Sequence, residues 1–167
     1  MMFHVLFALA VVCGVALDLI SKYAAFQYIP AGGSIPLLQG ILHFTPAENK
    51  GVAFSLFSGK TAFILIMSTV ALGFLGWMYA TNWRSGPRLL LVSTGLIFSG
   101  AIGNIYDRAF YGHVRDFIDF VPEIPLVGHW PVFNVADIFI TTGVLLFLLW
   151  EFALRPRVAA GAETTHA

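Results

Sequence analysis

The stretch LLLVSTGLIFSGAIGNIY, Leu89 to Tyr106, followed at once by Asp107 and Arg108, decides how this chain folds. It is long and apolar enough to approach the roughly 20 residues that a helix needs to cross a hydrocarbon core, and its ionisable groups come only at its far end. Three more windows read the same way: Phe3 to Ala25, Thr61 to Tyr79 and Val132 to Leu154. The composition agrees, since 58% of the residues are hydrophobic and only 11% charged, a balance outside the range of soluble domains. The expected fold is therefore an all-α membrane protein of four transmembrane helices. Trp77, Trp83, Trp130 and Trp150 fall at or near the window ends, where amphipathic rings prefer the interface.

The same numbers exclude other classes. Formal net charge is zero and no long basic run occurs, so nothing points to nucleic acid. The one cysteine, Cys13, allows no disulfide framework and is expected to be a buried packing thiol. Met1 to Leu17 lacks a Lys or Arg at its start and runs on apolar to Phe26, so it reads as a retained helix rather than a cleaved leader. One membrane-embedded domain is expected over residues 1–157, with a disordered tail over 158–167.

Parity then organises the polar residues. With alternating passes, the ends of spans one and three and the starts of spans two and four share one face. Asp18, Ser21 and Lys22 close span one, Asn104, Asp107 and Arg108 close span three, and Asn134 and Asp137 open span four. The loops joining these ends carry Glu48, Asn49, Lys50, Asp116, Asp119 and Glu123. An ionised side chain at the bilayer centre costs at least ~2.5 kcal/mol, so the gathering of so many at one edge of clean spans marks a site. The spacing of Asp18, Ser21 and Lys22, and of Asn104, Asp107 and Arg108, puts each trio on one helix face. Gly95, Ser99 and Gly103 form a small-residue stripe on span three that invites close helix packing.

The loop between spans two and three is short, whereas those over residues 27–60 and 107–131 are long enough to fold. Ile35 to Leu38 and Ile41 to Phe44, split by Gly40, read as strands, and Gly51 to Phe57 as a further one; together they predict a small sheet at that membrane face. Basic residues tie between the two faces, but Lys50, Lys60, Arg108 and Arg115 belong to the face where acids are interleaved, so more weight falls on Arg84, Arg88, Arg155 and Arg157. They place the termini in the cytoplasm and the polar face, with its sheet and loops, outside it.

No HExxH, GxSxG or phosphate-binding loop is present. What remains is carboxylate, amide and guanidinium chemistry. Two carboxylates held together cannot both ionise cheaply, so one keeps a proton and the pair supplies an acid and a base without a metal or cofactor. The competing structural reading, a helix pair that neutralises itself, is strong for Asp18 with Lys22. His43, His113 and His129 show no ligand spacing on any one element. The functional alternative from another class is a small proton-coupled transporter or channel using the same carboxylates, although no internal repeat supports it.

Four motifs in order carry a resemblance. Asp18-Leu19-Ile20-Ser21-Lys22, Asn49-Lys50-Gly51-Val52-Ala53-Phe54-Ser55, Gly103-Asn104-Ile105-Tyr106-Asp107-Arg108 running on to Val114-Arg115-Asp116-Phe117, and Phe133-Asn134-Val135-Ala136-Asp137 resemble bacterial lipoprotein signal peptidase, or signal peptidase II, across nearly the whole chain. The resemblance implies an aspartic endopeptidase of the bacterial cytoplasmic (inner) membrane, with its active site near the extracytoplasmic face. Its substrates would be diacylglyceryl-modified prolipoproteins, cut just before the modified cysteine within the membrane lipids, and globomycin-type cyclic peptides would inhibit it. By motif position it makes Asp116 and Asp137 the catalytic dyad. Asn49, Gly51, Asn104, Arg108 and Asn134 would line the site, with Asp18 and Lys22 in support. Two features depart from the pattern: Arg115 stands where the family usually has an apolar residue, and Glu48 adds an acid with no assigned role. A cation facing the dyad would favour its ionisation, unless an extended backbone turns adjacent side chains to opposite faces.

Overall fold

A computed structural model describes residues 2–51, 59–82 and 87–154 of the chain. The tail expected over 158–167, the greater part of the strand expected over 51–57, and Trp83, Arg84, Arg155 and Arg157 lie outside these residues.

Four helices are long and apolar enough to cross a membrane: α1 (Met2–Tyr28), α2 (Thr61–Asn82), α3 (Arg88–Tyr111) and α4 (Val135–Leu149), the last continued by a π-helical turn over Trp150–Leu154. Helix α3 is the hub and packs on each of the other three. Its small-residue stripe explains this. A Cβ on Gly95 would meet the Phe7 ring, Gly14 lies against Ser99, and a Cβ on Gly103 would overlap the Asp18 carboxyl, so the stripe faces α1. The neighbouring face, with Gly100 against the Ala136 carbonyl and Ser93 Oγ donating to the Gly143 carbonyl at 2.9 Å, lies on α4. Small residues bring helices close where lipid offers no hydrophobic drive to associate. Cys13 is exposed on the flank of α1, against expectation, because a lipid-facing surface can be as apolar as a core.

Three strands cap one end of the bundle: β1 (Ile35–Leu38), β2 (Leu42–Asn49) and β3 (Val114–Phe120), antiparallel in that order. The first two match the strands predicted from the first loop; β3 comes from the second. A register shift between Phe44 and Ala47 coincides with Pro46, which has no N–H to give the ladder. Buried Ala25, Ile29, Phe117 and Ile118, with Phe44 and Phe133 against them, attach the sheet to the end of α1. A short hairpin, β4 (Glu123–Ile124) and β5 (Gly128–His129), follows β3.

Two local signals set where β3 and α4 lie. Gly112, at φ 76°, ends α3 in a left-handed cap with its N–H on the Arg108 carbonyl, a conformation glycine adopts without strain, and the chain turns back as β3. At the other end, Val132 and Phe133 stand outside α4, contrary to the window read from hydropathy. Phe133 bridges Ile118, and Asn134 is the cap from which the helix begins.

Candidate active site

The polar residues of spans one, three and four meet at the sheet end of the bundle, as parity predicts. Asp116 is nearly fully buried on β3 and Asn134 fully buried at the mouth of α4. Asn134 and Asp137 form a reciprocal capping box: Asp137 N–H donates to Asn134 Oδ1 at 3.0 Å, and Asn134 N–H donates to Asp137 Oδ2 at 3.2 Å. Such a box satisfies free N–H groups of the first helical turn. Here it also fixes a carboxylate. The Asn134 Nδ2 then points away from α4 and donates to Asp116 Oδ1. One asparagine thus bridges the two aspartates.

Two further amides complete the arrangement. Asn104 Nδ2 donates to Asp137 Oδ1 at 2.9 Å, and Asn49 Nδ2 donates to Asp116 Oδ2 at 2.9 Å. Asn49 reaches Asp116 because the two lie on paired strands, Asn49 opposite Val114 and Ala47 opposite Asp116, a diagonal separation that a side chain can span. All four carboxylate oxygens therefore accept an amide N–H. Gly51 belongs to this arm: its N–H donates to Asn49 Oδ1 at 3.0 Å, and its carbonyl accepts from Arg108 Nη2 at 2.7 Å.

Burial pushes the Asp116 carboxyl up to about 7, with the nearby Asp137 charge adding to the rise and the Asn49 and Asn134 hydrogen bonds opposing it. Desolvation outweighs the amides, so Asp116 carries its proton into the neutral range. Both aspartates, with Asn49, Asn104 and Arg108, line a cavity of about 1340 Å³. The cavity continues between α2 and α4 along apolar side chains that include Leu72, Leu75, Met78, Ile138 and Ile140.

Behind the cavity lies an ionic cluster. Lys22, Asp18 and Asp107 are fully buried, with Lys22 Nζ 2.8 Å from Asp18 Oδ2 and 3.4 Å from Asp107 Oδ2. Asp18 Oδ1 accepts the Ala136 N–H at 2.9 Å and so holds the start of α4. Arg115 donates to Asp107 Oδ1 at 2.7 Å and lies over the Tyr111 ring at 4.3 Å. The strand geometry thus answers the question that Arg115 raised, because its guanidinium is spent on Asp107 and points away from Asp116. Sequence reasoning assigned Asp107 no role of its own; its place three residues after Asn104 and one before Arg108 was the available signal.

The remaining candidates are placed elsewhere. Asp119 accepts from Thr45 Oγ1 at 2.9 Å and pairs with His129 at 3.0 Å. Glu48 meets Lys50 at 3.6 Å and His113 at 3.8 Å on the surface, and His43 contacts Ser34. The three histidines therefore have separate partners, and among the described residues no group of three His, Cys, Asp or Glu is placed to hold a metal.

Comparison with known proteins bears on the same residues. The family model described as signal peptidase (SPase) II matches residues 10–153. A lipoprotein signal peptidase of Nostoc punctiforme is 42% identical over 154 residues, covering 90% of this chain and 92% of that protein. One from Clostridium novyi is 34% identical over 147 residues, covering 86% of this chain and 97% of its own. A bacterial membrane enzyme solved by the in meso method at 2.3 Å resolution superposes with a TM-score of 0.79 at 28% identity, covering 96% of this chain and 94% of that one. The motifs, the four-helix fold with its small sheet, and matches spanning nearly the full length agree, and this chain belongs to the signal peptidase II family.

Proposed function

We propose that this chain is an aspartic endopeptidase that removes the signal peptide from prolipoproteins by cleaving before the diacylglyceryl-modified cysteine, with Asp116 and Asp137 as its catalytic dyad. The observation that carries the reading is the buried Asp116 carboxyl and the half-buried Asp137 carboxyl bridged by Asn134 at the polar end of an otherwise apolar cavity. Family membership supports the coarser activity, and no observation favours the transporter alternative.

The dyad works with one proton between its members. The ionised carboxylate takes a proton from water as the water oxygen attacks the scissile carbonyl. The protonated partner hydrogen-bonds the carbonyl oxygen, and as the tetrahedral intermediate collapses a proton passes to the leaving amine, so that water has added across the C–N bond. Amides on all four carboxylate oxygens hold the pair in place while leaving lone pairs for this exchange. Arg108 holds the Gly51 carbonyl and with it the Asn49 arm. The cavity between α2 and α4 suits the apolar part of a lipid-anchored substrate, which would hold its scissile bond at headgroup depth. The active domain occupies residues 1–157, with cytoplasmic termini and the dyad near the extracytoplasmic face of the bacterial inner membrane.

The test is incubation of purified enzyme with a diacylglyceryl-modified prolipoprotein, with and without EDTA. A shortened product whose yield is unaffected by the chelator and by serine or cysteine reagents, and suppressed by globomycin, is expected. Loss of activity on chelation, restored by zinc, would overturn the metal-free chemistry.

A further inference from the structure

The fully buried Lys22 ammonium lies 2.9 Å from Asn104 Oδ1. An ammonium only donates, so the amide atom facing it must be the oxygen. The same oxygen receives Asn134 Nδ2 at 3.3 Å. With its oxygen engaged by two donors, Asn104 can present only Nδ2 to Asp137, which it does. The other two asparagines obey the same logic through backbone donors, Asn134 through the Asp137 N–H and Asn49 through the Gly51 N–H. Asn104 is the one of the three oriented by side-chain donors, Lys22 from α1 and Asn134 from the start of α4, and of these Lys22 is the nearer and the charged one.

We infer that Lys22 is a positioning residue for the dyad, acting from α1 through Asn104 to fix the amide sense that Asp137 meets. This rests on the dyad reading above and deepens it: Lys22 is more than half of a neutralised helix pair. It touches no substrate, because it is fully buried and meets the cavity only through Asn104. Its charge also favours the ionised form of Asp116. The other charged groups around the dyad are accounted for. Asp18 faces Lys22, Asp107 faces Lys22 and holds Arg115, Arg108 holds Gly51 and lines the cavity with both aspartates, and Glu48 and Lys50 pair at the surface.

Removing Lys22 alone would strand buried Asp18, so the test is Asp18→Asn/Lys22→Met, which keeps local charge balanced and leaves an oxygen for the Ala136 N–H. Cleavage of a diacylglyceryl-modified prolipoprotein is measured against pH in detergent. The expected result is a kcat lowered at least about tenfold with KM within about twofold. The comparison variant, Asp107→Asn/Arg115→Met, removes a different buried pair and should lose thermal stability without the tenfold fall in kcat. A folded Asp18→Asn/Lys22→Met enzyme with a near-normal kcat would overturn the inference. If that variant does not fold, Asn104→Ala decides. It leaves Lys22 with Asp18 and Asp107, and must show the same fall in kcat at constant KM, whereas normal kcat would overturn the inference. Asp137→Asn is run in parallel: activity retained there defeats the dyad itself, whereas an inactive Asp137→Asn beside a near-normal kcat in Asp18→Asn/Lys22→Met defeats only the role of Lys22.

Discussion

Arg115 and Asp116 are adjacent on β3 yet deliver opposite charges to opposite sides of it, Arg115 onto Asp107 at 2.7 Å and Asp116 onto Asn49 and Asn134. Because a strand alternates its side chains, a cation next in sequence to a buried carboxylate does not hold it ionised. Asp119, three positions on, falls on the Arg115 side and meets Thr45 and His129. The strand therefore separates three charged residues by parity, and Asp116 is the one on the side of Asn134 and Asp137.

Replacing either dyad member should abolish cleavage without unfolding the protein. Asp116→Asn and Asp137→Asn each remove one half of an acid–base pair, and a loss in kcat of at least roughly 10³-fold is expected. Asp119→Asn should stay within about threefold of the parent, since its partners lie in the sheet. Initial rates on modified prolipoprotein, alongside thermal unfolding in detergent, check both halves; near-normal rates in a folded Asp116 or Asp137 variant would remove that residue from the dyad.

The pH dependence has a defined sign. Asp116, raised from 3.8 to about 7, keeps its proton up to neutrality, so turnover should fall as pH rises through about 7 and the dyad loses its shared proton. Stability moves the same way. The folded state binds more protons than the unfolded chain between these two values, so the contribution of Asp116 is fully present below about 4 and lost as pH rises through about 7. A melting series over this range should show the decline in the parent and a shallower one in Asp116→Asn. A turnover limb that stays flat through pH 8 would contradict the assignment.

The diacylglyceryl group should be needed for efficient cleavage. Apolar walls between α2 and α4 lead to the carboxylates, and binding energy from the lipid would hold the scissile bond against them, so an unmodified precursor should suffer in kcat as well as KM. Matched precursors, fully solubilised in the same detergent, give the comparison. Equal rates would mean that peptide alone is read.

Helix packing offers a test independent of chemistry. A Cβ on Gly100 would drive into the Ala136 carbonyl, one residue before Asp137, whereas one on Gly73 meets nothing within 4 Å. Gly100→Ala should cost about 1–3 kcal/mol of stability by overpacking and slow turnover by displacing the start of α4. Gly73→Ala should be neutral. Equal melting points for the two would show that α3 and α4 do not pack as described.

The amino-acid sequence by itself determined the four spans, the face on which Asp18, Asn104, Asn134 and Asp137 gather, and the stripe of α3 that a neighbouring helix could approach closely. These follow from local sums: about twenty apolar residues cross a bilayer whatever surrounds them, passes must alternate, and helical spacing fixes which residues share a face. Tertiary structure alone decided that Val132 and Phe133 join the sheet, that Cys13 faces outward, that Asn134 serves Asp116 with its side chain and Asp137 with its backbone, and that Lys22 reaches Asn104 across 82 positions of chain. Such contacts depend on where a helix starts to within one residue and on which way a strand turns. Hydropathy is insensitive to both, because a hydrogen bond is decided over tenths of an ångström while burial in lipid is averaged over a whole helix.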